Sequence, residues 1–153
     1  MMKRLLAIVV LFACIFSVQA QTRPVTDTVG YLKSIYANKN QFIGKPFSNL
    51  LDSLKINIVY FGTNAGITSD KSKETSSAFY FIIPEYFEDF ASRYIEIYWA
   101  TPLNADESAL IYNMSEEGGL WIPEAKNFYK TGIIREIRVS DDIKNATANP
   151  SGN

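Results

Sequence analysis

Apolar side chains recur along this chain first at helical spacing and then at strand spacing. Val29, Leu32, Ile35 and Tyr36 lie behind Thr26 and Asp27, two residue types that cap helix N-termini, which predicts a helix running to about Asn38. Gly30 weakens that helix by up to about 1 kcal/mol relative to Ala. Phe47, Leu50, Leu51 and Leu54 follow at i, i+3, i+4 and i+7, a single stripe on a second helix. Pro46 opens it, because a missing N–H is no loss at the first helical position. From Ile56 the period becomes two. Ile56 to Phe61 reads as a strand ended by Gly62 and Asn64-Ala65-Gly66, and Ser69 to Ser76, polar and without periodicity, reads as a loop. Ala78 to Ile83 is apolar on both faces, which places a strand in the interior of a sheet, stopped by Pro84. Glu85 to Phe90 mixes acids with aromatics and reads as one helical turn.

Tyr94 to Thr101 alternates strictly. Ile95, Ile97 and Trp99 share one face, Tyr94, Glu96 and Tyr98 the other, and Pro102 marks the expected end. Ala109 to Met114 reads as a short strand and Glu116-Glu117-Gly118-Gly119 as a turn. Pro123 then opens a compact helix through Lys130, with Gly132 placed as its C-terminal cap, and Ile133 to Val139 forms the last strand. The order predicts an α+β domain over residues 26–140: two N-terminal helices on one face of a mainly antiparallel sheet of about four strands, with a third short helix before the last strand. In outline this resembles the β-lactamase-inhibitor-protein-like fold shared with small SmpA-type outer-membrane assembly proteins. The local match is Gly44 ahead of the helix from Phe47 to Leu54. That resemblance implies a topology and carries over no functional residue.

The Gly44-Lys45 pair also raises the question of a phosphate-binding loop. Such a loop carries an earlier Gly at a fixed spacing and a hydroxyl residue directly after the pair. Lys39 and Pro46 stand at those positions, so the stretch is a turn before a core helix.

Composition changes the picture mainly at the N-terminus. Lys3 and Arg4 precede an apolar run from Leu5 to Phe16, then Val18-Gln19-Ala20, the pattern of a secretory signal cleaved after Ala20. Gln21 to Val25 then forms an exposed leader, and residues 141–153 a polar tail. The expected destination is the periplasm or the exterior of a Gram-negative type cell. Leu11-Phe12-Ala13-Cys14 is a weak lipobox alternative, disfavoured by Phe12 and by the apolar Ile15-Phe16 beyond Cys14. Without residues 1–20 the chain has 13 basic and 16 acidic residues, no clustered basic face, and hence no nucleic-acid partner. It also has no Cys, so stability must come from burial, to which a 14% aromatic content contributes.

With no His in the chain, imidazole-based nucleophilic catalysis is excluded, as are zinc sites of imidazole or thiolate. No cofactor is implied. Carboxylate chemistry is left, with Glu85, Glu88, Asp89 or Glu96 as the acids a small hydrolase would use. Asp106-Glu107, Glu116-Glu117 and Asp141-Asp142 lack the alternating ligands of a calcium loop. The more specific feature is a recognition face. Tyr94, Glu96 and Tyr98 alternate with the apolar positions of their strand, and Glu136 and Arg138 do so on the last strand. Tyr and Arg combine apolar area with a polar tip, the chemistry enriched at protein interfaces. The expectation is a binding module for another envelope or extracellular protein. A carboxylate hydrolase, or an envelope scaffold if the chain is lipid-anchored, is the alternative.

Overall fold

A computed structural model describes residues 27–65, 70–82 and 93–140. The signal, leader and tail segments, and the turn expected over Glu85 to Phe90, lie outside them. Four helices accompany one antiparallel sheet: α1 (Thr28–Ala37), α2 (Phe47–Ser53), α3 (Ala105–Tyr112) and α4 (Pro123–Tyr129), with strands β1 (Tyr60–Ala65), β2 (Lys73–Tyr80), β3 (Tyr94–Asn104) and β4 (Ile134–Val139). The strands lie in sequence order, β1-β2-β3-β4. All four helices bury side chains in one core against one face of the sheet: Leu32 and Ile35 from α1, Phe47 and Leu50 from α2, Ile111 from α3, Ala125 and Tyr129 from α4. The predicted α+β class and the sheet of four strands are as expected.

The helix starts follow from their caps. Asp27 accepts a hydrogen bond from the Gly30 N–H at 2.8 Å, whereas Pro46, expected as the first helical residue of α2, is the residue before it and makes no side-chain capping bond. The deepest members of the α2 stripe are Phe47 and Leu50, whereas Leu51 and Leu54 are half-buried.

Several elements differ from the sequence reading. β1 begins at Tyr60 and runs through Gly62 to Ala65, while Ile56 to Val59 form a connection before the strand. β2 begins at Lys73, inside the stretch expected to be a loop. β3 passes through Pro102 instead of stopping there. Its register with β2 jumps from Ser76↔Tyr98 to Glu74↔Leu103, so Pro102 falls where no ladder N–H is required. The strand expected over Ala109 to Met114 is helix α3. The Asn104 side chain accepts from the N–H groups of Asp106 and Glu107 at 3.0 and 3.1 Å, and these two acids favour the positive end of the helix. Ala105, Ser108 and Ile111 point inward.

Both ends of the sheet are closed by nearby chain. The outer edge of β1 pairs with the segment before α4: Phe61 N–H donates to Gly119 O at 2.8 Å and Trp121 N–H to Val59 O at 3.0 Å. At β4, Gly44 takes a left-handed turn (φ +76°), and its N–H donates to Ile134 O at 2.8 Å. Phe47 N–H reaches Gly132 O at 2.8 Å. Gly132 is not the cap of α4, a position held by Lys130. A Cβ there would meet the Trp99 ring at 2.9 Å, so the position needs glycine for close approach.

Leu50→Ala should cost about 2–5 kcal/mol, the range for fully buried leucines. Leu51→Ala should cost distinctly less, since that side chain already meets solvent. Urea unfolding of the two variants checks the order, and equal losses would place Leu51 in the core as firmly as Leu50.

Candidate functional site

The face of the sheet opposite the helices gathers all five residues singled out from sequence. Register sets Glu96 beside Arg138 and Tyr98 beside Glu136, with Tyr94 beside Tyr80. Their alternation partners Ile95, Ile97 and Trp99 are buried in the core.

Three of the five form one linked group. Arg138 donates from Nε to Glu136 Oε1 at 2.8 Å, from Nη2 to Glu136 Oε2 at 3.3 Å and from Nη1 to the Tyr98 hydroxyl at 2.9 Å. Its guanidinium also lies 4.3 Å from the centroid of the Tyr98 ring, a cation–π contact. The hydrogen bond from Arg138 holds the Glu136 carboxyl below its usual range and raises Arg138 in turn. Partial burial, with Glu96 adding repulsion, pushes the Tyr98 phenol up. An exposed pair of this kind adds little to stability. Its effect is to hold the two long side chains in one arrangement.

Glu96, whose charge also acts on Tyr98 and Arg138, is anchored from the β1 and β2 side. Its Oε1 accepts from Asn64 Nδ2 at 3.0 Å and from Ser76 Oγ at 2.8 Å, two residues that sequence reasoning did not connect with the face. Tyr94 turns toward Tyr80, with ring centroids 5.5 Å apart, and packs against a second cluster of Tyr60, Ala78 and Tyr80. Burial, reinforced by Tyr94 and Glu96, pushes the Tyr80 phenol up to about 12. The face therefore runs from an aromatic end at Tyr60, Tyr80 and Tyr94 to a charged end at Tyr98, Glu136 and Arg138.

A second polar group lies inside the core and was not visible in the sequence. Glu74 is fully buried. The Trp99 indole N–H donates to Ser77 Oγ at 2.8 Å, and Ser77 in turn donates to Glu74 Oε1. Tyr129 also donates to Oε1, at 3.0 Å, which leaves Ser108 as the donor in its 2.7 Å contact with the Tyr129 hydroxyl. Glu74 Oε2 has no hydrogen-bond partner among the described residues. Burial pushes the Glu74 carboxyl up, against the opposing effect of these hydrogen bonds, and burial first, then Glu74, pushes the Tyr129 phenol up. Ser77, Ser108 and Tyr129 are as buried as Glu74, so a substrate has no path to the cluster.

Of the other acids, Glu85, Glu88, Asp89, Asp141 and Asp142 lie outside the described residues. Among the described residues no group of three or more His, Cys, Asp or Glu is placed to hold a metal ion, and no helix is long and apolar enough to cross a membrane. Comparison of the chain with family models, with characterised proteins and with solved structures gives no match.

The buried carboxyl makes a pH dependence. Below its ordinary value of 4.5, Glu74 is protonated whether the chain is folded or unfolded. As pH rises, the unfolded chain releases the proton first while the fold retains it, so stability is lost until the raised folded value is passed. Glu74→Gln cannot titrate. Its stability relative to the parent should therefore increase between pH 4 and pH 8, measured by denaturant unfolding at each pH. A constant difference between the two proteins would show that Glu74 ionises alike in both states.

Proposed function

We propose that this protein is an exported binding module that recognises another envelope or extracellular protein through the outer face of its sheet. The observation that carries the reading is the linked group of Tyr98, Glu136 and Arg138, ordered on a strand pair beside the anchored Glu96. Side chains already fixed in one arrangement lose less freedom on binding, which favours affinity. A Tyr ring and an Arg guanidinium held together also form the kind of anchor that dominates binding energy at interfaces. The N-terminal signal pattern supports a partner in the periplasm or outside the cell.

A carboxylate hydrolase draws less support. Glu96 is committed to Asn64 and Ser76, and Glu136 to Arg138.

Capture of partners from envelope extract by the immobilised protein, before and after substitution, tests the face. Tyr98→Ala should weaken capture of a partner by about 1–2 kcal/mol, as loss of an interface anchor does. Its cost in stability should fall below that of Trp99→Ala, where loss of a buried aromatic costs about 3–5 kcal/mol. Arg138→Ala should weaken the same partner with little change in unfolding. Capture that is unchanged in both variants would remove the outer face from the binding reaction.

A further inference from the structure

On the helical side of the sheet, α3 and α4 enclose an open cleft of about 420 Å³. Glu107, Leu110 and Ile111 come from α3 and Met114 from the turn just beyond its end, while α4 contributes Glu124, Asn127 and Phe128 at i, i+3 and i+4. These are facing stripes of two adjacent helices. Leu110 is 68% exposed and Met114 60%, although α3 buries Ala105 and Ser108 on its other side. Only one other large hydrophobic among the described residues, Ile43 at 36%, is exposed. Single exposed apolar side chains are ordinary, but two on one stripe over a cleft floored by Ile111 and Phe128 form a patch.

The charge of the cleft is mainly negative. Both ionisable residues lining it are carboxylates, Glu107 and Glu124, and the exposed Glu116 and Glu117 follow closely on Met114. Of the nearby basic residues, Lys126 lines a different and smaller cavity with Trp121 and Leu54, and Lys130, just after α4, is engaged by the lining residue Asn127, to whose Oδ1 its ammonium donates at 2.8 Å. We infer that this cleft is a second docking site, one that takes an amphipathic helical segment of a partner protein with apolar anchors flanked by Lys or Arg. Two facing helical stripes accept a third helix through anchors at i, i+3, i+4 and i+7. Met suits such a groove because its flexible side chain adapts to the shape of the incoming residue. The carboxylates at Glu107 and Glu124 select the sign of the occupant. The site is independent of the outer sheet face, since its lining comes from α3, the turn after it and α4, and includes no strand residue.

The probe is a fluorescently labelled peptide of about 15 residues, long enough to form a marginal helix, with Leu at the four anchor positions and Lys elsewhere. A second peptide keeps the Leu spacing and replaces Lys with Glu. Anisotropy titration of the full chain should show binding of the Leu/Lys peptide, with the Leu/Glu peptide weaker by about tenfold or more. Leu110→Ser with Met114→Ser removes exposed side chains, so the fold should persist while binding falls by a similar factor. Glu107→Lys with Glu124→Lys should reverse the preference between the peptides. Tyr98→Ala should leave binding unchanged, which separates this site from the sheet face. Equal binding of the two peptides, or binding indifferent to the Leu110 and Met114 changes, would overturn the inference. Concentration-dependent dimerisation abolished by those same changes would assign the cleft to a second copy of the chain and equally overturn it.

Discussion

Trp99 stands where the layers of this protein meet. Its indole lies edge-on to Phe47 of α2, with centroids 5.6 Å apart, and stacks near Tyr129 of α4 at 5.9 Å. Gly132 passes directly against the ring, and the indole N–H is anchored to Ser77 on the neighbouring strand. A large ring buried with its one polar atom satisfied fixes the distance of two helices from the sheet at a single point. It also fixes the sidedness of β3. With Trp99, Ile97 and Ile95 turned inward, Tyr98, Glu96 and Tyr94 have only the other face to occupy. The composition of the outer face is thus a consequence of core packing, and a shift of one residue in β3 would exchange the two.

The polar chain beneath Trp99 has the opposite character from the polar group on the outer face. Ser77, Glu74, Tyr129 and Ser108 exchange hydrogen bonds out of reach of solvent, in a setting where each bond orients its neighbours and any missing one is expensive. Tyr98, Glu136 and Arg138 make comparable contacts in water, where they add little to stability. Hydrogen-bond geometry alone does not separate the two groups. Burial does.

Legibility in the sequence followed periodicity. α2 and the part of β3 from Tyr94 to Trp99 were readable because their apolar residues keep an unbroken spacing there, and Glu136 and Arg138 were readable from the apolar residues around them on β4. Glu74 was not, because the register break beside Thr75 reverses the alternation. Counting by twos from Phe79 and Ser77 leads to Thr75 and Lys73 as the inward positions, yet Glu74 is the one in the core. Helix α3 failed for a different reason. Leu110, Ile111 and Tyr112 form a continuous apolar run that suits a strand, and only Ile111 among them is deeply buried. The exposed Leu110 broke the helical pattern, and the feature that hid the helix from the sequence is the one that opens its cleft.

The turn at Gly44 joins distant parts of the chain. Its hydrogen bond to Ile134, with that of Phe47 to Gly132, ties the entry to α2 to the start of the last strand. A chain synthesised from its N-terminus holds α1 and α2 long before β4 exists. Until residues 132–134 arrive, Phe47 and Leu50 lack the final wall of their core and the backbone at Gly44 lacks its ladder. Non-local closure of this kind is slow, because the entropy of the intervening loop is lost before the contacts form. The β1-β2-β3 meander can assemble from neighbours, but the N-terminal helices must wait for the end of the sequence to complete the layer that holds them.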